Sequence, residues 1–157
     1  MGCPNRCSFC SQAKFIDLDR GYARYRGPST NHIISEIKSV IKNFPIDYVI
    51  FYDSNFIGRP TAVIQEFADR FKKEIGLKFV LSGINPMSVT HEKFKALIDA
   101  GLVRIKIGIE AGNDDTLKIY RRSSTVASLT KSLQILSAYT HKMAAPAFEM
   151  ILDNPLE

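Results

Sequence analysis

The chain has 157 residues, 45% of them apolar and 24% charged, with a net charge of +5. That composition is ordinary for a globular domain and allows one core. No charged leader with an apolar core opens it, and no run approaches the roughly 18 apolar residues of a membrane span. The expectation is a cytoplasmic protein with no membrane segment. The basic balance permits an anionic partner such as a nucleotide or RNA without pointing to one. "FKKEIGLK" and "YRR" read as solvated faces.

In chain order, "GCPNRCSFC" comes first, with Cys3, Cys7 and Cys10 and no cysteine after them. Gly2 and Pro4 bend a loop placed at residues 2–12. A polar stretch with Gly21, Gly27 and Pro28 also reads as loop. "IISEIKSVIKNF" aligns Ile33, Ile37, Val40 and Phe44 on one helical face. "DYVIFY" is β-rich and too short for a helix. "TAVIQEFADRFKKEI" returns to helical spacing through Ile64, Phe67, Phe71 and Ile75. "LKFVLS" is a second strand. Thr90 caps "HEKFKALIDA", with Glu92 in its first turn and Gly101 as its stop. "VRIKIGI" is a third strand, and "IKIGI" suggests burial on both faces. Asn113, Asp114 and Asp115 begin a helix. A further helical piece aligns Val126, Leu129, Leu133 and Leu136. "AFEMIL" is a fourth strand.

Strands alternating with helices imply a parallel sheet with helices outside it. Ligands of such folds sit at the C-terminal ends of the strands. The residues there are Asp53, Ser54 and Asn55; Ser82, Gly83 and Asn85; Glu110, Ala111 and Gly112; and Asp153 and Asn154. Turns favour the same residue types. Carboxylates near three of the four ends favour function, and Asp53, Ser82, Glu110 and Asp153 are expected to face one cavity beside the cysteine loop. The open sheet edges suggest a barrel truncated at both ends.

An odd number of cysteines cannot all pair within one chain, and the rest of the sequence is not a disulfide scaffold. A closed zinc site needs a fourth ligand, and His32, His91 and His141 are the only histidines. A four-iron cluster held by three thiolates fits better, because its fourth iron stays open for a small molecule.

"GCPNRCSFC" resembles the C-x3-C-x-aromatic-C loop of the radical S-adenosylmethionine (radical SAM) superfamily, with Phe9 as the aromatic. "IKIGIEAGNDDTLKIYRR" looks like the fourth strand and following helix of that family's barrel. "FEMILDNPLE" looks like its fifth strand and turn. The resemblance implies an α/β fold, a partial TIM-like (β/α) barrel, with residues 1–157 as a single incomplete core domain. It implies that Cys3, Cys7 and Cys10 hold a [4Fe-4S] cluster and that the open iron chelates S-adenosylmethionine. Reductive cleavage would then give a 5′-deoxyadenosyl radical. By the same resemblance Phe9 stands beside the adenine, Glu110 meets the ribose, and Arg122 meets the methionyl carboxylate. Asp53 or Asn55, where the family has "GGE", would hold the methionyl ammonium. Ser82 and Asp153 join the cofactor-binding set as strand-end residues.

"MILDNPLE" resembles the "D-x-P-x-E" strand end of radical enzymes with a cobalamin-binding domain. That implies methylation of an unreactive carbon, with cobalamin carried upstream. The alternatives are an enzyme like the tRNA methylthiotransferases, and a non-catalytic metal-binding module. The substrate would be a small molecule or RNA, and the electron donor a flavodoxin or ferredoxin.

Overall fold

The computed structural model describes residues 3, 5–19, 22 and 26–154. Gly2, Pro4 and Gly21, and Pro155 and Glu157 of the last motif, lie outside them. The order is α1 (Ser11–Leu18), α2 (Thr30–Asn43), β1 (Tyr48–Tyr52), α3 (Thr61–Glu74), β2 (Lys78–Ile84), α4 (His91–Asp99), β3 (Leu102–Glu110), α5 (Asp114–Ile119), α6 (Val126–Ser137) and β4 (Ala147–Met150). Short 3-10 turns follow β1 and β2, at Phe56–Gly58 and Pro86–Ser88.

The strands lie side by side in chain order and every pairing is parallel. Each crossover carries at least one helix. A sheet that advances in one direction, with its helices on one side, is built as a barrel segment is. Local chemistry sets the helix starts. The side chains of Ser29, Thr90, Asn113 and Thr125 accept the N3 amides of His32, Lys93, Thr116 and Ser128.

One core lies between the helices and one sheet face. Ile33, Ile34 and Ile37 from α2, and Ile64, Phe67 and Phe71 from α3, meet Phe79, Leu81, Ile105 and Ile107 of the sheet. Phe51, Phe56, Phe67, Phe71 and Phe79 form one aromatic cluster, mostly edge-to-face, at centroid separations of 4.8–6.2 Å.

Four expectations change. Ser11–Leu18 is helix rather than loop. It buries only Ile16 and has no side-chain cap, so neither a wide apolar face nor a cap announced it. Val40 and Phe44 are exposed at 44% and 63%. Ile34 replaces them, because the buried face of α2 turns toward its N-terminal half. Val126 is exposed while Leu129 and Leu136 are buried. Burial of β3 is one-sided: Ile105 and Ile107 are fully buried, whereas Arg104 and Lys106, each just before one of them, are exposed.

Phe79→Ala removes a ring with no exposed surface from this aromatic cluster. It is expected to cost about 3–5 kcal/mol in urea unfolding. Val40→Ala, at an exposed site, is expected to change the unfolding free energy by less than about 0.5 kcal/mol.

Candidate functional site

A cavity of about 190 Å³ at the C-terminal strand ends is lined by Cys3, Cys7, Cys10, Phe9 and Gln12 from the N-terminal segment. Ser54, Gly83, Asn85, Gly108, Glu110, Glu149 and Arg122 line its other walls. The cysteine loop is pinned to the end of α5. The Ser8 amide donates to the Tyr120 carbonyl (3.0 Å) and its hydroxyl to the Ile119 carbonyl (2.9 Å). Phe9 meets the Tyr120 ring edge-on at 5.3 Å.

The end of α5 is a Schellman turn. The Arg122 amide donates to the Leu117 carbonyl and the Arg121 amide to the Lys118 carbonyl, both at 2.9 Å. Arg121 takes the left-handed conformation (φ 52°) that glycine usually fills. The turn leaves Arg121 exposed and puts Arg122 into the cavity wall. The solvated-face reading of "YRR" is therefore corrected for Arg122. Its Nη2 donates to the Gly108 carbonyl (2.8 Å) and its Nη1 to the Cys7 sulfur (3.6 Å). Its Nε is buried without a partner.

Glu110 ends β3 with φ 69°, where the pairing with β4 shifts register. Its carboxylate folds back over Gly108. A Cβ there would overlap Glu110 Oε1 and approach the Arg122 guanidinium, so glycine makes room for both charges. Burial raises the Glu110 pKa, Arg122 opposes the rise, and Glu149 adds to it. Gly83 (φ 74°) admits a second close approach, since a Cβ would overlap the Asp53 carbonyl.

Cys3, Cys7, Phe9, Cys10, Glu110 and Arg122 thus share one cavity. Asp53, Asn55, Ser82 and Asp153 do not line it, so the expectation of four strand ends on one cavity is corrected. Asp53 faces the buried Arg59 (3.4 Å) and accepts the Asn55 amide (3.1 Å). A buried guanidinium requires such a counter-charge. Asn55 donates to Ser88 and lines a separate cavity with Pro28 and Arg59. Ser82 sits in the β2 ladder opposite Tyr52. Asp153 is exposed. At the first two strand ends the next residues, Ser54 and Gly83, reach the cavity instead. Asn5, Gln12 and Glu149 also line it; the alternation of "AFEMIL" carried a signal for Glu149, and no periodicity marked the other two.

The thiols have the surroundings of ligands. Asn5 donates to the Cys3 sulfur and Arg122 to the Cys7 sulfur, both at 3.6 Å. Among the described residues no three His, Cys, Asp or Glu side chains gather closely enough for one metal ion. In a cluster each thiolate binds a different iron and the sulfurs need not converge on one point. The donor set fits an iron–sulfur cluster. Among the described residues no helix is long and apolar enough to cross a membrane.

The fold and site are thus a parallel barrel segment with three thiols at its strand ends. The chain matches the radical SAM superfamily over residues 1–145, and it belongs to that superfamily of enzymes. Two curated relatives are anaerobic magnesium-protoporphyrin IX monomethyl ester cyclases. That of Rubrivivax gelatinosus is 28% identical over 86% of this chain and 23% of its own length. That of Cereibacter sphaeroides is 28% identical over 86% and 22%. The chain therefore spans less than a quarter of either. Among solved structures, the cobalamin-dependent S-adenosylmethionine radical enzyme OxsB superposes with TM-score 0.75 at 21% identity, over 95% of this chain and 22% of its own. The radical S-adenosylmethionine methyltransferase TsrM from Kitasatospora setae gives 0.71 at 17%, over 95% and 29%. These likenesses establish the partial barrel fold.

Glu110 sets a pH dependence. Its folded pKa lies above the ordinary carboxylate value, so between those two values the folded state holds more protons than the unfolded. Wild-type stability falls as pH rises through that window. Glu110→Gln does not titrate there. Its stability relative to wild type is expected to rise across the window and stay level above it, in urea midpoints from about pH 4 to 8. A relative gain that grows toward acid contradicts the assignment.

Proposed function

We propose that this chain is the cluster- and S-adenosylmethionine-binding core of a radical SAM enzyme of the cobalamin-associated kind. The observation that carries this reading is that Cys3, Cys7, Cys10, Glu110 and Arg122 line one cavity at the C-terminal ends of parallel strands. Cys3, Cys7 and Cys10 would hold the [4Fe-4S] cluster. When bound, cluster and S-adenosylmethionine supply one-electron cleavage of a sulfonium as a source of hydrogen-abstracting radical chemistry.

The chain's own residues bind and orient. Arg122 keeps a positive charge against the Cys7 sulfur and has its Nε left for a carboxylate. Glu110 is an acceptor for paired ribose hydroxyls. Its pKa remains open to tuning by Arg122, and a cationic ligand nearby would favour the ionised form further. Phe9, braced by Tyr120, presents a half-exposed ring to an adenine. Asp53 pairs with Arg59 and so steadies the turn after β1. Cobalamin would be carried by a segment outside this chain, and a flavodoxin or ferredoxin would supply the electron.

The proposed reaction is methylation of an unreactive carbon, as the "D-x-P-x-E" resemblance implies. A second reading is cyclisation, favoured by the 28% identity to the two cyclases, whose names place them on a magnesium-protoporphyrin ester.

Two measurements test the core reading. Anaerobic reconstitution is expected to give brown protein with about four iron and four sulfide per chain. Cys7→Ala is expected to lose most of both, and unchanged content would remove the assignment. In reconstituted protein Glu110→Ala is expected to weaken S-adenosylmethionine binding by one to two decades, from loss of charged hydrogen bonds worth about 1.5–3 kcal/mol. Equal affinities would make Glu110 structural.

A further inference from the structure

Among the described residues, two of the three thiols accept a side-chain hydrogen bond, and the donors differ in kind. The Cys3 sulfur accepts from the neutral amide of Asn5, two residues away. The Cys7 sulfur accepts from the guanidinium of Arg122, 115 residues away. A local amide is a common neighbour for a thiol. A full positive charge brought from another element is not, and a charged donor makes the stronger bond.

The fold holds this charge in place from two sides. Nη2 of the guanidinium donates to the Gly108 carbonyl at 2.8 Å, which fixes the plane of the fork while Nη1 meets the sulfur. The left-handed turn at Arg121 delivers Arg122 from the end of α5. Cys7 is only 7% exposed and Arg122 is half-buried, so water screens the pair less than it would at the surface. The Glu110 carboxylate folds over Gly108 beside the same guanidinium and opposes its field.

Reduction adds one negative charge to an iron–sulfur cluster and its thiolates. Net charge and hydrogen bonds to the sulfurs therefore set the potential of such clusters. We propose that Arg122 raises the reduction potential of the cluster held by Cys3, Cys7 and Cys10, by keeping its guanidinium on the Cys7 sulfur, and that Glu110 lowers it. The proposal rests on the radical SAM reading for the cluster itself. It gives Arg122 a role before any ligand binds, apart from its contact to a carboxylate. The step concerned is the passage of one electron: a reduced flavodoxin or ferredoxin loses it, the oxidised cluster gains it, and no bond or proton changes place.

The test is an anaerobic redox titration of the reconstituted full chain without S-adenosylmethionine, read by the paramagnetic resonance of the reduced cluster. Arg122→Gln is expected to make reduction about tenfold less favourable, a fall of about 59 mV for one electron. Arg122→Lys keeps the charge without the fork and is expected to fall between that variant and wild type. Glu110→Gln is expected to move the potential upward. Arg121→Asn removes the same net charge from the exposed neighbour, in a conformation that asparagine tolerates, and is expected to shift the equilibrium less than about threefold. A wild-type potential in Arg122→Gln overturns the proposal, as does an equally large shift in Arg121→Asn. A fall in both Arg122→Gln and Glu110→Gln marks a loosened loop rather than a charge effect, and also overturns it. Should Arg122→Gln hold no iron, Arg122→Lys decides, and a wild-type potential there overturns the proposal. Iron and sulfide counts separate the two levels of the reading. Wild type without a cluster removes both, whereas wild type with a cluster and a potential that Arg122 does not move removes the role of Arg122 alone.

Discussion

The site depends on how one short loop is held against one helix end. The last carbonyls of a helix have no partner within it. At the end of α5, Ile119 and Tyr120 give theirs to Ser8, 111 and 112 positions earlier. Loop and helix end satisfy each other's backbone, and Phe9 against Tyr120 adds an apolar contact. Closing so long a chain segment costs entropy that grows only slowly with its length, so a few good bonds suffice. The same turn puts Arg121 in a left-handed conformation and directs Arg122 under the cysteines. A change in the α5 terminus would thus disturb thiols that it never touches in sequence.

The cavity keeps polar capacity unused. Arg122 Nε and Gln12 Oε1 are buried without partners, and Glu110 is held above its ordinary pKa by burial. Orphaned polar groups are costly in a closed interior and are rare. Their gathering beside three thiols is what a polar ligand's seat requires. Gly108 permits the arrangement, since any side chain there would take the space of the Glu110 carboxylate. The structure gives up some stability at this position in return for two opposed charges held close but not neutralised.

The two faces of the sheet divide the work. Toward the helices, aromatic and aliphatic side chains lock the strands in register through burial. On the face turned away from the helices the same strands carry Tyr48, Ile50, Tyr52, Arg104 and Lys106, and Glu149 joins them from β4. Strand alternation makes this possible: successive residues serve the core and the inner face in turn.

The sequence by itself determined the alternation of helices and strands, because each element carries its own period and most helices their own caps. It also determined the cysteine loop, because C-x3-C-x2-C is a local pattern with little structural use outside metal binding. Glu110 was legible through its place after a β-rich run, whereas Arg122 was legible only through the family resemblance. The helix Ser11–Leu18 was not, since one buried residue makes no period. Which strand-end residues reach the cavity was decided only by tertiary structure. Asp53 turns to Arg59 because a buried guanidinium captures the nearest carboxylate, and Ser54 and Gly83 take the cavity wall. Glu149 reaches the cavity from within β4 because the pairing sets it opposite Gly108. The one-sided burial of β3 is likewise a matter of packing: helices cover only one face, so Arg104 and Lys106 stay open while Ile105 and Ile107 do not. The alternation of "AFEMIL" and of "RIKI" marks which residues share a face, but which face the helices cover, and which strand-end residue meets the cavity, depend on contacts between residues far apart in the chain.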